Sequence, residues 1–415
     1  MKPEVAIVGG GVCGLALALN LHRRGITARI YETAPEIREL GVGITLLPHA
    51  VRELSALGLL AEFEAVGIEN RESCFFTRFG QLAYREPRGR FAGYPFPELG
   101  IHRGKLQGIL YHAVLRELGA DAVSTSHCCV GVEPVGDKVK VLFGPAPDGN
   151  VAPPVTADLV IACDGVNSAV RKQFYPDDKV VFTGINTWRG TTVRPPIIGG
   201  RSYIRVGSIN TGKMVIYPIV DDVDGKGNQL INWMAEIQTG DAGKNDWNTA
   251  GRKEDFLPIY QDWKFDWLDV PAMIRDAQTI LEYPMVDKEP IDRWVFGRVA
   301  LAGDAAHPMY PRGSNGSAQG LIDARVLADL LARGGEVDAA LAEYEATRAP
   351  QTARVVRTNR STPPDLINIA VEEATHDKPF DDLEDFITQA ELEAISERYK
   401  QIAGFSLNDF GAKAG

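Results

Sequence analysis

The chain has 415 residues, 45% of them hydrophobic and 24% charged, which is enough to build two domains around a large core and excludes a disordered or fibrous protein. Its net charge of −11 excludes the basic surface that nucleic-acid binding ordinarily needs. The five cysteines, Cys13, Cys74, Cys128, Cys129 and Cys163, show neither CxxC nor Cys/His ligand spacing, which predicts reduced thiols in a cytoplasmic protein and no metal site.

In chain order, the first informative stretch is "VAIVGGGVCGLALALNLHRRGITARIYE", from Val5 to Glu32. Its glycines interrupt the apolar run and no cleavage pattern follows, so neither a secretion signal nor a membrane span fits. A nucleotide cradle does. Val5 to Val8 reads as a buried parallel strand. Gly9-x-Gly11-x-x-Gly14, with Val12 and Cys13 inside it, supplies a tight turn and lets backbone approach a pyrophosphate. Leu15 to Arg24 is a helix whose N-terminus would face the phosphates, and Gly25 suits its end. A second strand then delivers Glu32, eighteen positions after Gly14, where a carboxylate would accept hydrogen bonds from an adenosine ribose. This fingerprint occurs once, which predicts one bound dinucleotide.

Next, "GVGITLLPHAVRELSALGLL" reads as a strand or loop and then a helix with Val51, Leu54 and Leu57 on one face. "SCFFTRFGQLAYREP" has strand character. "IHRGKLQGILYHAVLREL" is an amphipathic helix that places Arg103 and Gln107 four apart on one face. "KVKVLFG" and "ADLVIACDG" read as a hairpin arm and a buried strand. From about Val181 to Met285, short strands alternate with Asp/Gly turns, which predicts an antiparallel sheet. "RVALAGDAAH" restores a buried strand ending at Asp304, and Gly313, Ser314, Asn315 and Gly316 open the helices that run to about Arg360. The expected fold is α/β: a Rossmann-like nucleotide domain over 1–180 and 286–360, an inserted antiparallel substrate domain over 181–285 that 73–99 can join, and a peripheral helical tail over 361–415.

Two later stretches, "CDGVNSAVRKQ" and "GDAAHPMYPRGSNGSAQGLIDA", follow the first fingerprint. Together the three resemble the class A flavoprotein monooxygenases, the p-hydroxybenzoate hydroxylase family, over Val5 to Arg360. "IHRGKLQ", "TWRG", "INW" and "YPMVD" are most similar to its phenazine-carboxylate branch. The resemblance implies non-covalent FAD, with Gly9, Gly11, Val12, Cys13, Gly14 and Glu32 at its adenosine end. It implies Gly43 and Ile44 along the isoalloxazine edge, and Arg103 and Gln107 at the phosphates and ribityl chain. Asp304 would accept hydrogen bonds from ribityl or ribose hydroxyls, while Gly313, Ser314 and Asn315 would turn backbone N–H groups to the flavin pyrimidine. Asp164 and Gly165, with Ser168 and Arg171, would serve FAD and transient NAD(P)H contact. Cys13 and His307 read as structural.

The reaction so implied uses NADH or NADPH and O2 to hydroxylate a small, carboxylated aromatic or heteroaromatic through a flavin C4a-hydroperoxide, with or without decarboxylation. The chemistry belongs to the cofactor, so no side-chain nucleophile is expected. Tyr217 would face the flavin, Trp188, Met214, Tyr283 and Tyr310 would wall an aromatic slot, and Pro311 would frame the reoxidation side. Arg189 would pair with a substrate carboxylate or form a structural ion pair. The expected partner is the small aromatic alone, with no nucleic acid or membrane, on a monomer or homodimer. A halogenase would carry "WxWxIP", which is absent; a plain dehydrogenase explains only the first fingerprint. A non-catalytic FAD-bound sensor has no positive signal.

Overall fold

The computed structural model describes residues 2–39, 41–240, 249–361 and 365–410. Val5–Val8 is buried at every position and pairs in parallel with Leu159–Ala162 on one side and Ala28–Tyr31 on the other. Leu159–Ala162 pairs in turn with Val299–Leu301, so three distant pieces of sequence make the middle of one six-stranded sheet. All four of these short strands are almost wholly apolar, as suits a sheet covered on both faces. The helix Val12–Arg23 packs on it beside Arg103–Leu118 and Gly316–Ala332. That close approach needs Gly14, where a Cβ would stand 2.1 Å from the Gly9 carbonyl oxygen.

An eight-stranded sheet forms the second layer. Its centre is Val180–Arg194, Gln229–Gln238 and Lys213–Val220, all antiparallel. Residues 72–76 and 82–87 extend it, Glu72–Phe76 pairing in parallel with Ser202–Val206. Glu98–His102 lies elsewhere, in a small sheet with Gly43–Leu46 and Ile68–Asn70. The large sheet has two different faces. Tyr203, Val215, Tyr217, Ile219 and Met234 cluster on one, toward the nucleotide domain. Trp188, Ile204, Met214 and Trp233 pack on the other against Phe256, Tyr260 and Met273.

The C-terminal helices are not peripheral. Leu366–Ala374 and Gln389–Ala403 close over the outer strands, where Ile367, Val371 and Leu392 bury against Phe75, Ala83 and Tyr84. Tyr399, Ala403 and Phe405 pack on Leu47, and Tyr94 Oη donates to the Phe405 carbonyl at 2.8 Å. The cause is an apolar stripe: Leu392, Ile395, Tyr399 and Ala403 recur at helical spacing and must find a cover. Among the described residues no helix is long and apolar enough to cross a membrane, and no cluster of His, Cys, Asp and Glu could hold a metal ion.

Candidate active site

The cofactor cleft begins where the first strand ends. Gly10 N–H donates to Glu32 Oε2 at 2.6 Å and Ala34 N–H to Oε1 at 2.8 Å, so backbone fixes the carboxylate at the end of the second strand. Gln107 Nε2 donates to the Gly10 carbonyl at 2.9 Å, tying the helix Arg103–Leu118 to the glycine turn. A Cβ on Gly11 would meet nothing within 4 Å; this is open space above the turn. Arg103 is exposed on the same helix. Its guanidinium attracts the carboxylate of Asp304, which is also exposed and accepts no hydrogen bond among the described residues. Burial of its surroundings pushes the Asp304 carboxyl up, and His307 and Arg103 offset this only in part. A cation and a free carboxylate facing one glycine-lined cleft fit FAD: the cation suits the pyrophosphate, the carboxylate the sugar hydroxyls.

The helix Gly316–Ala332 starts beside Asp304, with Asp304 Oδ1 4.0 Å from where a Gly316 Cβ would sit. Its first N–H groups, on Gly316 and Ser317, have no protein partner among the described residues, as expected at a helix start. Ser314 N–H is not available, because it turns back to the Pro311 carbonyl at 3.3 Å. Asn315 is fully buried and acts as a strut: its Nδ2 donates to Tyr399 Oη at 2.8 Å, and its Oδ1 meets His49 Nε2 at 3.0 Å. Burial lowers His49 to about 3, so the ring is neutral and donates. Beneath the loop, Asp323 joins His307 Nε2 at 2.5 Å, Arg348 Nε at 2.7 Å and Gly303 N–H at 3.0 Å. His307 is thus a buried histidine satisfied by an acid behind the loop. Cys13 Sγ packs at 3.3 Å from the Gly320 carbonyl.

Arg171 departs from expectation. It is fully buried, grips Asp178 through Nε at 2.8 Å and Nη2 at 3.0 Å, and donates to the Ala305, Ala306 and Glu289 carbonyls. It is neither a docking group for NAD(P)H nor a solvated cation; it pins the Asp304 loop from behind. Asp164 Oδ2 accepts from Ala169 N–H at 2.9 Å, capping a short helix, and burial pushes its carboxyl up. Gly165 beside it has a φ of +81° and open space around it.

Across the cleft stands the inner face of the large sheet. Gly43 N–H donates to Asn232 Oδ1 at 2.7 Å and the Gly43 carbonyl accepts from Arg189 Nη2 at 2.8 Å, so the strand carrying Ile44 is clamped to the sheet. Tyr217 stacks on Tyr203 with centroids 5.0 Å apart, and burial pushes its phenol up. Two adjoining cavities lie here. One, of about 20 Å³ and so with room for a single water, is lined by Thr45, Phe75, Tyr203, Arg205, Gly313 and Tyr399, among others. The second, of about 10 Å³, shares Tyr203, Arg205 and Gly313 and adds Lys213, Met234 and Pro311. Pro311 lines the second of these. Trp188 and Met214 do not: strand alternation puts them on the outer face. Tyr310 is buried in a separate cluster with Ile185 and Met285. Tyr283 lies opposite Thr187, away from both cavities, and Arg189 lines neither. Tyr399 and Arg205, which line the first of these voids, are not singled out by the sequence.

A family profile described as an FAD binding domain matches residues 2–359. The chain belongs to that family, and FAD is its cofactor. It is 39% identical over 364 residues, 86% of this chain and 89% of the relative, to the phenazine 1,6-dicarboxylic acid hydroxylase PhzS of Lysobacter antibioticus. It is 32% identical over 364 residues, 86% of each chain, to the 3-amino-4-hydroxybenzoate 2-monooxygenase of Streptomyces cremeus. The fold is that of Klebsiella pneumoniae HpxO complexed with FAD and uric acid (TM-score 0.75, 23% identity, 99% and 98% of the two chains). A salicylate hydroxylase substrate complex is also similar (TM-score 0.74, 21% identity, 100% and 99%).

Proposed function

We propose that this chain is an NAD(P)H-consuming, FAD-dependent monooxygenase that hydroxylates a small, carboxylated aromatic or heteroaromatic ring. The observation that carries this reading is the glycine-lined cleft whose Arg103 and free Asp304 carboxylate fit FAD, facing the aromatic side of the large sheet across the Pro311–Gly313 loop. Bound FAD supplies hydride acceptance and oxygen activation. The protein's own part is positional. Tyr203 and Phe75 give the sheet an aromatic wall beside the cofactor cleft, Pro311 and Gly313 bring the loop backbone against it, and Tyr399 closes the wall and excludes water. The free N–H groups of Gly316 and Ser317 direct positive potential at whatever lies over the helix start.

The phenazine 1,6-dicarboxylic acid and 3-amino-4-hydroxybenzoate hydroxylases that it resembles act on carboxylated aromatics. With a single glycine fingerprint and Arg171 buried, the nicotinamide cosubstrate docks transiently on exposed groups. Five cysteines free of disulfides support a cytoplasmic setting. The test is a panel of aromatic acids against the FAD-loaded protein, with NADH and with NADPH. Stimulated cosubstrate consumption and a product one oxygen heavier are expected; consumption unaffected by any aromatic would overturn the reading.

A further inference from the structure

We propose that Cys13 and Cys163 form an oxidation site in the floor of the cofactor cradle: hydrogen peroxide converts the two thiols to a disulfide when FAD is absent, and bound FAD shields them. The site needs only the FAD cradle, whichever reaction the loaded enzyme performs. Cys13 lies in the first turn of the helix Val12–Arg23, and Cys163 directly follows the strand Leu159–Ala162. The Cys163 backbone is fixed, its N–H donating to the Val8 carbonyl at 2.7 Å. The two sulfurs stand 3.8 Å apart, with the Cys163 thiol directed at Cys13 Sγ. A disulfide needs about 2.05 Å between sulfurs, a gap that rotation about the two Cα–Cβ bonds can close.

Cys13 Sγ touches the other pieces of the cradle as well. It lies 3.3 Å from the Gly320 carbonyl, and a Cβ at Gly303 would stand 3.1 Å from it. Cys13 keeps partial exposure while Cys163 is 8% exposed, so a small oxidant entering by the cleft meets Cys13 first. The Cys163 thiol and burial both raise the Cys13 thiol, which makes this step slow. The Cys13 sulfur attacks peroxide, the O–O bond breaks, and a sulfenic acid and one water result. The Cys163 sulfur then attacks the sulfenic sulfur, the S–OH bond breaks, and the hydroxyl leaves as a second water with the Cys163 proton. Two thiols lose two electrons, and the peroxide takes them up. The path to Cys13 runs through the cleft where FAD lies, so bound cofactor closes it. Once formed, the bond draws the start of the helix toward the strand end, and the Gly11–Cys13 backbone that faces the pyrophosphate moves with it. The other cysteines do not compete: Cys74 is buried in the core of the large sheet, and Cys128 and Cys129 are adjacent on a separate sheet.

The test treats apoprotein and FAD-loaded protein with hydrogen peroxide, alkylates the remaining thiols under denaturing conditions and maps the peptides by mass spectrometry. The apoprotein should yield a peptide linked through Cys13 and Cys163, and the FAD-loaded protein should form it at least about tenfold more slowly. Oxidised apoprotein should bind FAD at least about tenfold more weakly than before treatment, and dithiothreitol should restore the affinity. Cys163→Ser should stop at the Cys13 sulfenic acid, so that dimedone, which tags that acid, labels Cys13 in the variant and not in wild type. Absence of the linked peptide, a link that forms equally fast with FAD bound, or a link that leaves FAD affinity unchanged would overturn the proposal. Should Cys163→Ser not fold, the wild-type peptide map and FAD titrations still decide. None of these outcomes depends on a hydroxylated product, so failure of the hydroxylase reading would leave the oxidation site standing.

Discussion

Asp304 keeps an accessible carboxylate in a cleft whose walls push its pKa up, and both features bear on the cofactor. A carboxyl raised in this way protonates at higher pH than a free one, and its acceptor strength toward hydroxyls goes with the charge. FAD affinity of the apoprotein should therefore fall as pH drops into and just above the ordinary carboxylate range. Asp304→Asn should weaken FAD by about 1.5–3 kcal/mol at neutral pH and flatten that slope. Fluorescence titration of apoprotein with FAD checks both; equal affinity in the variant would remove Asp304 from the cradle. Gly313 makes a steric prediction. Its φ is +85° and a Cβ would stand 1.7 Å from Tyr399 Oη, so Gly313→Ala should cost about 2–4 kcal/mol in urea unfolding. A cost below about 0.5 kcal/mol would mean that the loop and Tyr399 separate freely.

The helix Gln389–Ala403 turns a tail into a wall. Lys400 Nζ and Ser396 Oγ reach Glu86 Oε2 at 3.0 and 2.7 Å, and burial of that carboxylate is more than offset by Arg88 and Lys400. Lys400→Met should destabilise the protein by about 1–3 kcal/mol, read by chemical denaturation; an unchanged midpoint would show that the helix is held by its apolar face alone. Neither the helix's place nor the sheet's sidedness was legible in the sequence. The strand turn helix around Gly9 to Gly14 was, because the constraint there is local: a tight turn and a close helix. "KMVIYPIV" is buried at seven of its eight positions, so no alternation marks which of Met214 and Tyr217 faces the cofactor; partners on distant strands decide it. Arg171, expected at the FAD and NAD(P)H contact, is buried instead, and this was not legible for the same reason, since its acid, Asp178, is identified only by the fold. Asp304 was legible because a strand end followed by glycine confines it to the cleft.

At the scale of the molecule, one buried ionic group joins three parts: Lys213 and Glu236 from the sheet, Arg312 from the cofactor-side loop, and Asp365 from the C-terminal segment. Burial raises the Asp365 carboxyl, but Lys213 and Arg312 outweigh it and hold it well below the carboxylate range. A depressed folded pKa contributes stability above the unfolded value that is lost as pH falls through the folded one. Asp365→Asn should therefore lower stability by about 3–5 kcal/mol at neutral pH and narrow the gap between neutral and acid stability. Thermal unfolding at neutral pH and at acid pH measures it; an identical loss at both would show that the pair contributes nothing through its charge.

The order of the central strands also has a consequence in time. Leu159–Ala162 is completely buried between Val5–Val8 and Val299–Leu301, yet the ribosome makes its second neighbour more than a hundred residues later. At about 5–20 residues per second that interval is on the order of ten seconds, during which an apolar strand edge stays open on the nascent chain. The floor of the cofactor cleft, and Asp304 with it, exists only after that wait. FAD therefore meets a protein that is nearly finished, and in the meantime the open edge is the part of this chain most in need of a chaperone.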